Sequence, residues 1–448
     1  MINTQKKIRL YFRCLVTCLV ILLVISPTFT VRAEPAGKKI KIGIIGPKKF
    51  ATGRHASIAA AIGAEDINAA GGVLIKGVRH DIELVDTDSN EYISIPDAIN
   101  AMDRLLSRDK VNFVVGGHRS EAVLAQMELI ADFKTIFFIS AGHPQIMSRV
   151  AKDYEKYKYI FRIHTNIILL SGIALPVACE VAVNAVRTKL GFERPKVAMM
   201  TEKAIWSETT SNLIKKRLPL MGADFAGEWK FSLREKDLSS ELTAIKNSGA
   251  HVVYILASGP AGVITSKQIG ELKIPVALVG LNGVAQSIEH WRATGGKCNY
   301  ETTINNLGRV KITEKTIPFY DKFHKKSKGD YPLFSVSTTY DALWMLKEAI
   351  ERVGTLDNDT VAAELVKLDY TGVQGRNVFF GKGHKMPHDI IIAPGYMTWN
   401  LQQWRDGKLV TVWPDGKAVL GDTKWIGVRY PGTVDYQLPP RMMEYWKK

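Results

Sequence analysis

Along this chain, short apolar runs of strand length alternate with longer stretches in which apolar residues recur every three to four positions. Lys39 to Gly46 reads as a strand, and Arg54 to Ala70, with Ile58, Ile62 and Ile67 on one face, reads as a helix stopped by Gly71-Gly72. His80 to Asp86 is the next strand, and Ile95, Ile99, Met102 and Leu105 or Leu106 set one apolar stripe on the following helix. Asn112 to Gln145 then holds a strand, a glycine turn, a helix, a second strand and another polar turn. The two turns, Gly116 to Ser120 and Ser140 to Gln145, fall at the carboxyl ends of strands, where parallel sheets collect ligands.

After Tyr159 to Ile163, which reads as a crossing segment, the pattern starts again. Leu170, Ile173, Val177 and Val181 mark a long helix, and strands are expected at Lys196 to Met200, Asp224 to Phe231, His251 to Ala257 and Pro275 to Gly280. Helices are expected between them, from Ile205, Leu238 and Ala261 onward, and a strong one through Val336, Tyr340, Leu343 and Ile350. Beyond Gly372 turns dominate and separate short β-like runs such as Met397 to Trp404 and Lys408 to Trp413, whose tryptophans read as anchoring aromatics. Repeated strand–helix alternation predicts an α/β fold with parallel sheets covered on both faces. Two such sheets in succession, in 448 residues, predict two doubly wound lobes with a β-like C-terminal extension.

Charge and cysteine content narrow the setting. Lys6, Lys7, Arg9 and Arg13 precede an apolar run from Leu15 to Ile25, and Val31-Arg32-Ala33 suits signal peptidase, so residues 1–33 read as a signal peptide and the mature chain as exported. The net charge of +16 includes five basic and no acidic residues in that segment, which leaves +11. The remaining Lys and Arg are dispersed among acids without an aromatic-flanked basic motif, so no nucleic-acid partner is implied. Only Cys179 and Cys298 lie beyond the signal segment, too few for a disulfide framework; Cys179 reads as a buried thiol.

Catalytic and metal motifs are absent from the sequence: no Gly-x-Ser-x-Gly, His-Glu-x-x-His, Walker loop or Gly-x-Gly-x-x-Gly after the first strand. Asp86 to Asn90 departs from a calcium loop at Glu91, where that loop needs glycine, and reads instead as a strand end entering a helix. His118 and His143 occupy equivalent turns one strand apart but lack a spaced third ligand, so no metal or cofactor is assigned. An exported enzyme is the alternative from another class.

With these features, the pieces Ala64-Glu65-Asp66-Ile67-Asn68-Ala69-Ala70-Gly71-Gly72, Val115-Gly116-Gly117-His118-Arg119-Ser120 and Phe138-Ile139-Ser140-Ala141-Gly142 resemble the periplasmic solute-binding proteins of branched-chain amino acid (leucine/isoleucine/valine-type) ABC transporters, of the type I fold. The resemblance implies two lobes joined by three crossings that close on a ligand. It places lobe one at 38–163 plus about 303–375, and lobe two with the extension at 164–302 plus about 376–448. It implies a small-molecule ligand, delivery to the permease subunits of an importer, a periplasmic location and a monomer; a receptor reporting to a membrane sensor is the alternative.

The ligand set implied is Thr52, Ser120, Gly142, His143, Pro144, Trp206, Ser258 and Asn282. Ser120 takes the place of the serine that holds a ligand carboxylate, and Gly142 that of the backbone position one strand later. Pro144 stands where the family has threonine, Trp206 where an aromatic closes from lobe two, and Ser258 where it has tyrosine. Asn282 replaces the glutamate that neutralises a ligand ammonium. An unpaired buried ammonium costs several kcal/mol, so an amide, a urea-like compound or an aromatic or aliphatic carboxylate is expected to suit the site as well as an amino acid.

Overall fold

The computed structural model describes residues 37–447 apart from Thr165, so the signal segment expected at 1–33 lies outside the described residues. The first sheet contains β1 (Ile40–Gly46), β2 (Ile82–Asp88), β3 (Phe113–Gly116), β4 (Ile136–Ile139) and β5 (Ile160–Arg162), in the order β2-β1-β3-β4-β5. All its pairings are parallel. Helices α1 (Ala51–Ala69), α2 (Ile95–Asp103) and α3 (Ser120–Asp132) connect the first four strands, and α4 (Pro144–Lys152) follows β4. Sheets covered on both faces need strands apolar on both faces, and the IFFI of β4 is buried at every position. Phe113, Phe137, Phe138 and Phe161 are among the largest fully buried side chains, and burying each contributes roughly 1.5–3 kcal/mol. The segment expected only as a crossing, Tyr159 to Ile163, supplies the edge strand β5, and the crossing begins just after it.

The second sheet has seven strands in the order β12-β11-β10-β9-β8-β6-β7: β6 (Lys196–Glu202), β7 (Asp224–Phe231), β8 (Val252–Ala257), β9 (Ala277–Asn282), β10 (Thr302–Asn305), β11 (Asn400–Arg405) and β12 (Lys408–Trp413). β11 and β12 join it antiparallel, so the C-terminal strands extend the sheet as its edge. α5 (Leu175–Leu190) leads into β6, and α6 (Ile205–Arg217), α7 (Ser239–Asn247), α8 (Ala261–Glu271) and α9 (Ile288–Ala293) run between the sheet's parallel strands. The helical stretch Leu170–Leu190 is long and apolar enough to cross a membrane, yet Cys179, Ala182, Val183 and Val186 are buried in the core. Cys179 and Cys298 are both buried free thiols.

The chain leaves the first sheet after Arg162 and leaves the second after Asn305 to form α10 (Thr316–Lys326), α11 (Phe334–Val353) and α12 (Asn358–Leu365). α11 packs along α1, so this section returns to the first lobe. Asp389 still bridges to Arg162 before Asn400 re-enters the second sheet. Buried polar groups bind these crossings together. Gln374 donates to the Ile163 carbonyl at 3.1 Å and accepts from Asn306 at 3.0 Å. Arg162 and Asp389, 0% and 1% exposed, form an ion pair at 3.1 Å, and Asn166 donates to the other Asp389 oxygen. A buried pair of this kind persists because each remaining polar atom finds partners.

Candidate functional site

The carboxyl ends of the strands from both sheets face one cleft of about 530 Å³. On the first lobe its wall is made where β3 turns into α3. Gly116 and Gly117 have φ of +140° and +65°, and a Cβ on Gly116 would meet the Ile45 carbonyl oxygen at 1.8 Å, so only glycine allows this turn. The turn delivers Ser120 to the first residue of α3, a 13-residue helix whose initial N–H groups have no intrahelical acceptor. Ser120 Oγ accepts from the His143 N–H at 3.2 Å, which leaves the hydroxyl proton for an acceptor in the cleft. A helix N-terminus and a hydroxyl donor together favour an anionic or carbonyl group.

Beneath the turn, Glu91 accepts from the His118 N–H at 2.9 Å; burial pushes its carboxyl up to about 7. His118 lines the cleft, and burial, followed by the charge of Lys48, pushes its imidazole down to about 3, so it is neutral at physiological pH. Neither of its ring nitrogens has a hydrogen-bond partner among the described residues.

The second-lobe wall holds a group that sequence reasoning missed. Glu202 ends β6, is 3% exposed and lines the cleft. Its carboxylate accepts from the Ser258 backbone N–H at 2.6 Å and from the Ser258 hydroxyl at 2.8 Å. Burial raises its pKa, and the two Ser258 hydrogen bonds oppose that. Trp206, in the first turn of α6, and Leu281 add apolar surface. Trp399, expected as an anchor, forms part of the cleft wall.

Thr52, Ser120, Gly142, Trp206 and Ser258 therefore line one cleft, whereas His143, Pro144 and Asn282 are not among its lining residues. The Gly142 carbonyl accepts from Arg162 at 2.8 Å and from the Ile167 N–H at 2.7 Å, so both its lone-pair directions are engaged within the protein. His143 caps α4, its Nδ1 accepting from the Gln145 N–H at 3.3 Å, and Pro144 occupies the first helical position. Asn282 is fully buried and donates to Glu301 at 2.8 Å and to the Gly262 carbonyl at 3.2 Å. Strand alternation is the reason: Leu281 faces the cleft, and its neighbour Asn282 faces the opposite side. Asn282 thus does not reach the cleft, and the acidic residue that does line the second-lobe wall is Glu202.

Two polar ties bridge the lobes at the cleft rim. Arg54 on α1 meets Glu289 on α9 at 3.0 and 3.1 Å. Asp330 accepts from His55 at 2.9 Å and caps α9 through the Ile288 N–H at 2.8 Å.

Comparison with known proteins agrees with this architecture. The family described as periplasmic binding protein matches residues 39–395. A "Leu/Ile/Val-binding protein homolog 7" of Brucella abortus (strain 2308) is 24% identical over 86% of this chain and 94% of its own length. An "Amino acid binding protein" of Pseudomonas aeruginosa is 28% identical over 79% of this chain and 89% of its own. Among solved structures, a putative branched-chain amino acid ABC transporter protein from Silicibacter pomeroyi superposes with a TM-score of 0.72 at 20% identity, covering 90% of this chain and all of that one. A solute-binding protein of an ABC transporter from R. palustris, in complex with benzoate, gives 0.68 at 15% identity over 89% and 98% of the two chains. With a family match running from β1 to residue 395, and a two-sheet fold that opens one cleft at its strand ends, this chain belongs to the periplasmic binding protein family.

Proposed function

We propose that this chain is an exported, non-catalytic receptor for a small amino-acid-like or carboxylate solute, which it delivers as a monomer to the permease subunits of an ABC importer. The observation that carries the reading is the opposition, across one cleft, of the Ser120 turn on α3 and the Glu202 carboxylate on β6. The ligand's acidic end is read against Ser120 and the α3 N-terminus, its basic end toward Glu202, and its apolar body against Trp206 and Leu281. The names of the Brucella and Pseudomonas relatives support an amino acid. The benzoate-bound neighbour favours a second reading, an aromatic acid with no ammonium. Lobes at 38–163 plus about 303–375, and 164–302 plus about 376–448, are proposed to close by rotation about the three crossings.

Calorimetric titration of the purified protein with leucine, 4-methylpentanoate, benzoate, small amides and ureas tests this. Leucine binding tighter than its des-amino analogue supports the amino-acid reading; benzoate binding tighter than leucine supports the aromatic acid. No binding by any member of the panel overturns the ligand class.

A further inference from the structure

We infer that His290, Cys298 and Glu301 form a binding site for a borderline-soft divalent cation of the Zn2+ class, set in the second lobe at the cleft wall, which His290 helps to line. One ligand atom from each residue, a ring nitrogen, a thiol sulfur and a carboxylate oxygen, lies within 4.8 Å of the other two, and all three residues are buried. The His290 and Glu301 side chains are 0% and 1% exposed, and Cys298 is 2% exposed. The three come from one short stretch: His290 on α9, Cys298 on the loop that follows, and Glu301 immediately before β10.

The donor set is specific. Imidazole, thiolate and carboxylate together suit zinc and its neighbours, whereas calcium and magnesium take oxygen alone. The donors are also held from outside, as metal ligands commonly are. Asn282 donates to one Glu301 oxygen at 2.8 Å and the Thr294 hydroxyl donates to Cys298 Sγ at 3.2 Å, while the two ligands His290 Nε2 and Glu301 meet each other at 2.8 Å through the other carboxylate oxygen, a contact the ion would replace. Two neighbouring buried atoms, His290 Nδ1 and Asn282 Oδ1, have no hydrogen-bond partner among the described residues. No Lys or Arg of the described residues forms an ion pair with Glu301; its only such partner is His290. A divalent ion there would balance the carboxylate and a thiolate.

A zinc tetrahedron with ligands at roughly 2.0–2.3 Å has edges of about 3.5 Å. Small side-chain rotations within the observed spacing would close the three donors on the ion, leaving one position for water. The thiol proton leaves to solvent on binding, so affinity rises with pH.

Cobalt(II) titrated into the reduced, chelator-treated mature protein tests the inference. A near-ultraviolet thiolate-to-cobalt charge-transfer band is expected, with about one equivalent of zinc retained through gel filtration. Cys298→Ser is expected to lose the band and His290→Gln to retain at least about tenfold less zinc, while Cys179→Ser keeps both. Circular dichroism checks that each variant is folded. Absence of the band and of retained zinc in the unsubstituted protein, which needs no variant, overturns the proposal, as does a band that survives in folded Cys298→Ser.

Discussion

Ser258 donates both its backbone N–H and its hydroxyl to the Glu202 carboxylate, at 2.6 and 2.8 Å, and so aims a buried acid into the cleft from a strand end. Glu202→Gln retains an acceptor for Ser258 but removes the charge. Charge-assisted hydrogen bonds contribute about 1.5–3 kcal/mol, so an amino acid ligand is expected to lose roughly 10- to 100-fold in affinity, while a ligand with only an acidic end is unaffected. Calorimetry with leucine and its des-amino analogue separates the two outcomes; an equal effect on both would refute the assignment of Glu202 to a basic group.

Trp206 lines the cleft from the first turn of α6. Truncating a tryptophan anchor in a desolvated pocket costs at least about 2 kcal/mol, so Trp206→Ala should weaken the best ligand more than about tenfold. Unchanged affinity would remove Trp206 from the site.

Arg54 and Glu289 are both partly exposed, and their pair links the two lobes at the rim. Exposed pairs contribute about 0.2–1 kcal/mol, so Arg54→Ala is expected to weaken ligand binding two- to fivefold at low salt and hardly at all at 1 M salt. A double-mutant cycle with Glu289→Ala should be non-additive. Additive losses would show that the pair does not act in closure.

Burial holds the Glu91 carboxyl at about 7 against an ordinary value of 4.5. The native chain therefore keeps a proton that the unfolded chain has released between those values. The stabilising contribution is full below pH 4.5 and is lost as pH rises through 7, by up to about 1.4 kcal/mol per pH unit. Glu91→Gln should gain stability relative to the parent protein on going from pH 5 to pH 8, as read from urea midpoints. A parallel pH dependence in both proteins would contradict the buried-acid account.

Gln374 bonds to Ile163 and Asn306, which stand at the first and second crossings. Gln374→Ala leaves buried partners unpaired and is expected to destabilise the protein by about 2–4 kcal/mol, measured by urea unfolding at pH 7. A loss below about 0.5 kcal/mol would show that water replaces the side chain without difficulty.

The strand–helix alternation was legible because parallel strands buried on both faces must be apolar along their length, and Ser120 was legible because a glycine turn before a helix leaves a mark in sequence. Trp206 was placed through the family resemblance. Glu202 was hidden, since a Glu-Lys pair at a strand end resembles a solvated rim; only the fold brings Ser258 over it. Asn282 was misplaced by one step of the strand pleat, and its partner Glu301 lies 19 residues away with no local signal. The double engagement of the Gly142 carbonyl depends on Arg162, a residue that reads as surface in sequence but is fully buried.

The order β9-β8-β6 gives the position of Glu202 a geometric meaning. With neighbouring strands about 4.8 Å apart, the end of β6 that carries Glu202 lies about 10 Å along the sheet from the end of β9 that carries Leu281 and Asn282. A ligand read with its acidic end at Ser120 and its basic end at Glu202 would lie toward the β6 side of the wall, beside Trp206. On the proposed reading, two solutes of the same length and charge are expected to be told apart by the angle between their ends.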